Sequence, residues 1–239
     1  MAAPTSPDRS SSTAQSSSTA QSQRLLTAAL LVGLVAAAVA LALFSWLGRE
    51  ILTGITPALD DRLRAALHDV ASPGLTRVMI AASRYGSPGW LAPIGGVLAL
   101  AFLVRGWRRG AALVVITMAG AGLLDALLKQ AFARVRPAAF FNYPLPVSHS
   151  FPSGHAFFAA SFFGGLAVLI SGRVRSKALR AGIWVVAIGI TLVIGLSRVY
   201  LGVHYPSDVL AGYAAATVWV AAVAFGDRVA SHRRRRRVA

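Results

Sequence analysis

Three short stretches of this 239-residue chain hold the side chains whose types and spacing can do chemistry. Lys129 to Pro137 (KQAFARVRP) supplies Lys129 and Arg136, Pro152 to His155 (PSGH) supplies Ser153, Gly154 and His155, and Ser197 to Asp208 (SRVYLGVHYPSD) supplies Arg198, His204 and Asp208. Each has a bland reading when taken alone. Lys129, four residues after Asp125, can pair with it and snorkel from a helix end. Arg136 precedes Pro137, which disfavours helix and marks a loop. Pro152 to His155 reads as a turn opening a helix with Ser153 as its cap. His204 and Asp208, four apart around Pro206, can form a hydrogen bond at a helix start.

Together the three stretches suit one kind of reaction. Lys129, Arg136 and Arg198 are three fixed positive charges, enough to hold a phosphate dianion without a metal, and an Arg fork matches phosphate oxygens in pairs. Ser153 and Gly154 at a helix N-terminus offer backbone N–H groups and a favourable dipole, and Gly admits close approach. His204 and His155 then serve as a nucleophile and a general acid. Asp208 can hold the His204 imidazole in the tautomer whose far nitrogen is free to attack. The chain has no Cys, so thiol nucleophiles and thiolate metal sites are excluded. Asp60 and Asp61 have no His or third carboxylate nearby to complete a metal site. No metal and no cofactor is expected.

The elements that must position these residues follow from composition. The chain is 56% hydrophobic and 13% charged, against about 25% charged in an ordinary soluble domain. A net charge of +16 would suit a soluble nucleic-acid binder, but this apolar content does not. From Leu25 to Leu47 every residue is apolar or small, long enough to cross a hydrocarbon core of about 30 Å. The run exceeds the roughly 7–15 residues of a signal-peptide core, so it reads as a retained anchor. Further runs at Gly89–Val104, Ala111–Leu128, Ala156–Ile170, Ile183–Leu196 and Val209–Phe225 complete six spans, an all-α transmembrane bundle. Gly164 and Gly165 are expected to allow close helix contact.

Between the first two spans, residues 49–87 carry two amphipathic patterns, Leu59, Leu63, Leu67 and Val70, then Leu75, Val78, Met79 and Ala82. They predict peripheral packing helices without chemistry. Residues 1–23, rich in Ser, Thr, Ala and Gln, read as a disordered cytoplasmic tail. Residues 24–227 form the membrane domain and 228–239 a basic cytoplasmic tail. Placing both termini in the cytoplasm puts most of the 24 Lys and Arg on that side, as the positive-inside rule requires. The Arg233–Arg237 run then serves topology and anionic lipid rather than nucleic acid. All three chemical stretches fall on the extracytoplasmic face of a cell membrane, where ionisable groups at helix mouths are costly and usually functional.

The spacings Lys-x6-Arg-Pro, Pro-Ser-Gly-His and Ser-Arg-x5-His-x3-Asp resemble the three-part signature of the type 2 phosphatidic acid phosphatase superfamily, with no departure at its eleven positions. That resemblance implies six spans and an extracytoplasmic site. It implies that His204 forms a phosphohistidine, His155 protonates the leaving alcohol or phosphate and Asp208 orients His204, while Lys129, Arg136, Ser153, Gly154 and Arg198 bind the phosphate. The expected activity is metal-independent hydrolysis of a membrane lipid phosphate or diphosphate, with phosphatidic acid, phosphatidylglycerol phosphate and undecaprenyl diphosphate as candidates. A phosphotransferase needs only a different acceptor pocket. Vanadate-dependent haloperoxidases resemble the same signature, but they are soluble. A non-enzymatic lipid-phosphate binder or transporter would need no nucleophile, and His204 is present. His149, six residues before His155, reads as a solvated loop His, and Phe140, Phe141 and Tyr143 as interface anchors or lipid contacts. Nothing in the sequence reads out the oligomeric state.

Overall fold

Backbone polar groups in a bilayer must be satisfied within the protein, which restricts spanning elements of such a chain to helices. The computed structural model describes residues 9–53 and 58–238, and among them every regular element is an α-helix. In chain order these are α1 (Arg9–Leu52), α2 (Ala58–Asp69), α3 (Pro73–Tyr85), α4 (Pro88–Val104), α5 (Arg108–Phe132), α6 (Gly154–Ser171), α7 (Lys177–Tyr200) and α8 (Pro206–Val238). The chain divides into two compact units, Met1–Ala36 and Ala37–Ala239. The first is helical from Arg9 onward, and the second contains every residue of the three chemical stretches.

Residues 9–23 continue α1 toward the N-terminus, while residues 1–8 lie outside the described residues. No Gly or Pro interrupts the sequence from Arg9 to Val32. Extending an existing helix costs far less than nucleating one, so even a polar Ser- and Gln-rich stretch can continue it.

Among the described residues, five helical segments are long and apolar enough to span a bilayer: Leu31–Leu52, Arg108–Phe132, Gly154–Ser171, Lys177–Tyr200 and Pro206–Arg233. A sixth span is counted only if α3 and α4, bent by 50° at the break between them, cross as one, since α4 alone has 17 residues. Pro88 opens α4, and a Cβ on Gly86 would lie 2.5 Å from Ile194, so the break can seat this closely on α7 only with glycine there. Leu91, Ala99, Val114, Met118, Phe158 and Phe162 bury a shared core of α4, α5 and α6. Ala121, Phe157 and Ala216 join α5, α6 and α8 in a second cluster, beside which the Trp219 indole donates to the Thr117 carbonyl at 2.9 Å. Gly165 meets Thr117 of α5, as expected for a close contact, whereas Gly164 faces open space.

The two short amphipathic elements divide their apolar residues between buried and exposed positions. On α3, Met79 is buried and Leu75 packs beside it, but Val78 is exposed. On α2, Leu59, Leu63 and, just past the helix, Val70 are exposed, whereas Leu67 of the stripe is half-buried along with Arg64, and Asp60 is buried. Polar satisfaction selects that face. Arg64 donates to the carbonyls of Ala138 (2.8 Å) and Gly202 (3.3 Å) and lies over the rings of Phe140 and Tyr205. Those carbonyls need a donor, and Arg64 supplies it.

Gly202 shapes the approach to the site. Its φ of +76° is in the left-handed region, and an added Cβ would lie 2.6 Å from the Phe140 backbone nitrogen. That nitrogen donates to Leu201 O, so the loop cannot retreat without losing the bond. Gly202→Ala is expected to destabilise the protein by about 1–3 kcal/mol, read as a lowered melting temperature in detergent. An unchanged melting temperature would contradict this strain.

Candidate active site

The ends of α5 and α7 and the starts of α6 and α8 meet at one end of the bundle, and the three chemical stretches lie there. Ala133, with φ +46°, terminates α5 by donating its N–H to Lys129 O, and the chain turns there toward Arg134 and Arg136. Lys129 is only 8% exposed. Its ammonium donates to Asp125 (2.8 Å) and to the Pro152 carbonyl (2.6 Å), two acceptors that hold it inward where snorkelling would carry it out.

Arg136 uses every N–H it has. It donates to the Ser148 carbonyl (2.6 Å) and hydroxyl (3.1 Å), to the carbonyls of His149 (3.0 Å) and Val203 (2.9 Å), and to Nε2 of His204 (2.9 Å). A guanidinium can only donate, so Nε2 is the accepting nitrogen and Nδ1 carries the proton. Nδ1 donates to Asp208 Oδ2 at 3.2 Å. This is the tautomer with a lone pair on the far nitrogen. Burial pushes the His204 pKa down to about 3, against the pull of Asp208. The ring is therefore neutral at physiological pH.

Asp208 is fully buried in the first turn of α8. Its Oδ2 also accepts from the Ser150 hydroxyl and the Tyr205 N–H (2.9 Å), and its Oδ1 from Arg134 (2.6 Å). With four donors the carboxylate has little freedom to rotate away from the imidazole.

Ser153 occupies the N-cap position of α6, but its hydroxyl caps nothing, which corrects the capping expectation. Its backbone N–H donates to Asp208 O (2.9 Å), and the buried hydroxyl has no partner among the described residues. Gly154 follows, and a Cβ there would come 3.1 Å from the Asp125 carboxylate. A Cβ on Gly212 of α8 would lie 2.8 Å from Ser153 O, so glycine lets α8 press against the α6 N-terminus. His155 is half-buried and within the electrostatic field of Arg198, His204, Lys129 and Arg136. Arg198 is 1% exposed. It donates to the Ser83 hydroxyl, with the Tyr143 ring 5.7 Å away, and its Nε has no partner among the described residues.

The surrounding loop is more ordered by protein contacts than its composition suggests. Phe140 stacks on His68 (4.3 Å) and Phe141 on Tyr200 (5.4 Å), so both aromatics brace the loop, although Phe141 remains exposed. Tyr143 pairs its hydroxyl with Ser83 at 3.2 Å. His149 is half-buried and serves the site through its carbonyl.

Arg134, Ser150 and Ser83 join the site without any spacing that marks them, and Asp60, weighed above only as half of a carboxylate pair, joins them. Asp60 of α2 reaches this cluster. It is 3% exposed, pairs with Arg134 at 3.1 Å and accepts from Ser207. Its partners are remote in sequence, beyond any local spacing rule. Arg134 lies inside KQAFARVRP and was visible only as a second Arg two residues before the first. Among the described residues no three His, Asp or Glu side chains are grouped to hold a metal.

Residues 110–228 match the PAP2 superfamily. The chain is 31% identical to a decaprenylphosphoryl-5-phosphoribose phosphatase of Mycobacterium tuberculosis over 69% of this chain and 81% of that protein. It is 38% identical to a lipid A 1-phosphatase of Rhizobium johnstonii over 43% of this chain, a match that spans only 42% of that relative's length. The crystal structure of a transmembrane PAP2-type phosphatidylglycerolphosphate phosphatase from Bacillus subtilis superposes with a TM-score of 0.73 at 27% identity, covering 80% of this chain and 96% of that one. Motifs, helical membrane bundle and relatives agree, and the chain belongs to the PAP2 superfamily as a multi-pass membrane protein.

Proposed function

We propose that the protein hydrolyses a lipid phosphate or diphosphate at the extracytoplasmic face of the membrane, without a metal, through a phosphohistidine on His204. The observation that carries this reading is the His204 ring held between Asp208 and Arg136 with its lone pair on Nε2, while Arg198 Nε and the Ser153 hydroxyl are among the buried polar groups without a partner among the described residues. A buried donor without a partner costs about 1–3 kcal/mol, and a bound phosphate would satisfy both.

The phosphate is held by Lys129, Arg136, Arg198, Ser153 and the N–H groups at Gly154, at the positive end of the α6 dipole. Arg136 shifts one N–H from His204 Nε2 to a phosphate oxygen, which frees the lone pair where it is needed. Nε2 attacks phosphorus and the P–O bond to the lipid breaks. His155 gives its proton to the departing oxygen, and Asp208 stabilises the charge that develops on the His204 ring. A water molecule then loses a proton to His155 as it attacks the phosphohistidine, which releases inorganic phosphate and restores neutral His204. The cations stabilise charge on the transferring group in both steps.

The relatives act, by their names, on lipid A, decaprenylphosphoryl-5-phosphoribose and phosphatidylglycerolphosphate. These share a phosphate on a lipid and little else, so the proposed substrate class is lipid phosphate, with phosphatidic acid, phosphatidylglycerol phosphate and undecaprenyl diphosphate as candidates. The test is phosphate release by purified protein over a panel of diacyl and polyprenyl phosphates, with and without EDTA and vanadate. Release that persists in EDTA and falls with vanadate is expected. Loss of activity in EDTA would contradict the metal-free mechanism, and activity unchanged at saturating vanadate would contradict the phosphoryl-transfer site.

A further inference from the structure

We infer that Asp60 and Arg134 are positioning residues for the His204–Asp208 pair, and that α2 is therefore a working part of the active site. The inference rests on the proposed phosphohistidine chemistry but concerns residues outside the signature positions.

The geometry is a continuous buried network. Arg134 donates through one nitrogen to Asp208 Oδ1 (2.6 Å) and the Ser207 hydroxyl (2.8 Å), and through the other to Asp60 Oδ2 (3.1 Å). Asp60 accepts in turn from the Ser207 N–H (2.9 Å) and hydroxyl (2.5 Å). The Arg134 guanidinium lies 4.0 Å from the centre of the Tyr205 ring. The side chains of Arg134, Asp60 and Asp208 are 8%, 4% and 0% exposed. Water is therefore not available to replace any of these bonds.

Charge balance explains why both residues are present. Asp208 must be ionised to favour the positive imidazole that forms when Nε2 attacks, yet burial alone disfavours a carboxylate. Arg134 compensates that burial, but a lone guanidinium would also cancel the field that Asp208 presents to His204. With Asp60 as the second carboxylate on Arg134, the trio keeps one net negative charge. Position is fixed at the same time. Asp60 holds Ser207 by both its N–H and its hydroxyl, immediately before Asp208 in the first turn of α8, while Arg134 holds Asp208 itself. Arg64 on the same face of α2 ties that helix to the carbonyls of Ala138 and Gly202. The approach of α2 is thereby set relative to the site.

The experiment uses the full chain in nanodiscs with Asp60→Asn, Arg134→Gln and the double variant, alongside wild type and a His204→Ala blank. The readouts are kcat, KM for the lipid phosphate and melting temperature. Misplacing a catalytic pair costs on the order of 10²-fold, so each single variant is expected to lose roughly that in kcat with KM within about twofold. The double variant should be little worse than either single, because residues of one network do not act additively. Asp60→Glu and Arg134→Lys, which keep the charges, should recover part of the loss, and they decide the matter if a neutral variant does not fold. The inference is overturned by kcat near wild type in the single variants, by losses that multiply in the double variant, or by charge-keeping variants no better than the neutral ones. An inactive wild type or an active His204→Ala would instead overturn the underlying chemistry, so the two failures are distinguishable.

Discussion

His204→Ala is expected to lower lipid-phosphate hydrolysis by about 10⁴-fold or more, because losing the nucleophile of a covalent mechanism removes the reaction path itself. The fold should survive. Asp208 retains the Ser150 hydroxyl, the Tyr205 N–H and Arg134 as donors, and Arg136 retains the carbonyls of Ser148, His149 and Val203. Binding of a non-reacting phosphate should also survive, since Lys129, Arg136 and Arg198 remain. Rates of phosphate release, beside equilibrium binding of a non-hydrolysable lipid phosphonate to wild type and variant, separate the two effects. A secondary effect concerns acid. His204 titrates at about 3 in the fold against an unfolded value near 6.5, so below about 6.5 the unfolded chain binds the extra proton. The stability that the neutral ring contributes is fully present above that pH and is lost as pH falls toward 3. The Ala variant should lose less stability between pH 6.5 and pH 4 than wild type, measured by thermal unfolding in detergent.

Asp208→Asn is expected to cost about 10⁴-fold in kcat, the scale seen when the orienting carboxylate of a catalytic His is replaced by its amide. The cause is the tautomer. In wild type the carboxylate requires the proton on Nδ1, and Arg136 requires a lone pair on Nε2. An amide nitrogen turned toward Nδ1 would donate to it, which moves the ring proton to Nε2, against the Arg136 N–H and onto the nitrogen that must attack. The alternative rotamer, with the amide oxygen on the ring, aims the NH₂ at Arg134 with two donors facing each other. Either way a buried donor is stranded, so a loss of about 1–3 kcal/mol in stability should accompany the loss of rate. Steady-state kinetics and thermal unfolding check both parts, and kcat within tenfold of wild type would contradict this role for Asp208.

Local pattern made much of this molecule legible. Apolar runs with basic punctuation marked the helices, because crossing a bilayer demands length and apolarity from every span. The eight proposed catalytic and phosphate-binding positions could be read because three fixed spacings carry them. What could not be read depended on contacts between distant segments. The stripe of Leu59, Leu63 and Val70 marked a helical face but left its side open, since in a membrane protein the apolar face need not be the buried one. Asp60 suggested only half of a carboxylate pair without the partners for a metal, because nothing nearby in sequence explains it. Its meaning comes from Arg134 and Ser207, which reach it only after α8 and the loop following α5 have folded against α2. Ser153 reads as a helix cap from its neighbours alone, yet its hydroxyl is left without a partner, which is a property of the site and not of the turn.

The most direct test is to trap the covalent intermediate. Purified protein would be mixed with a lipid substrate carrying a radiolabelled phosphate and quenched in base, which preserves phosphohistidine while hydrolysing phosphoserine. The labelled residue would then be identified by peptide mapping. The expected result is a base-stable, acid-labile phosphoryl group on His204, formed within the time of one turnover and absent from His204→Ala. Label on another residue, or wild-type turnover with no labelled protein at any time, would contradict a phosphohistidine at His204.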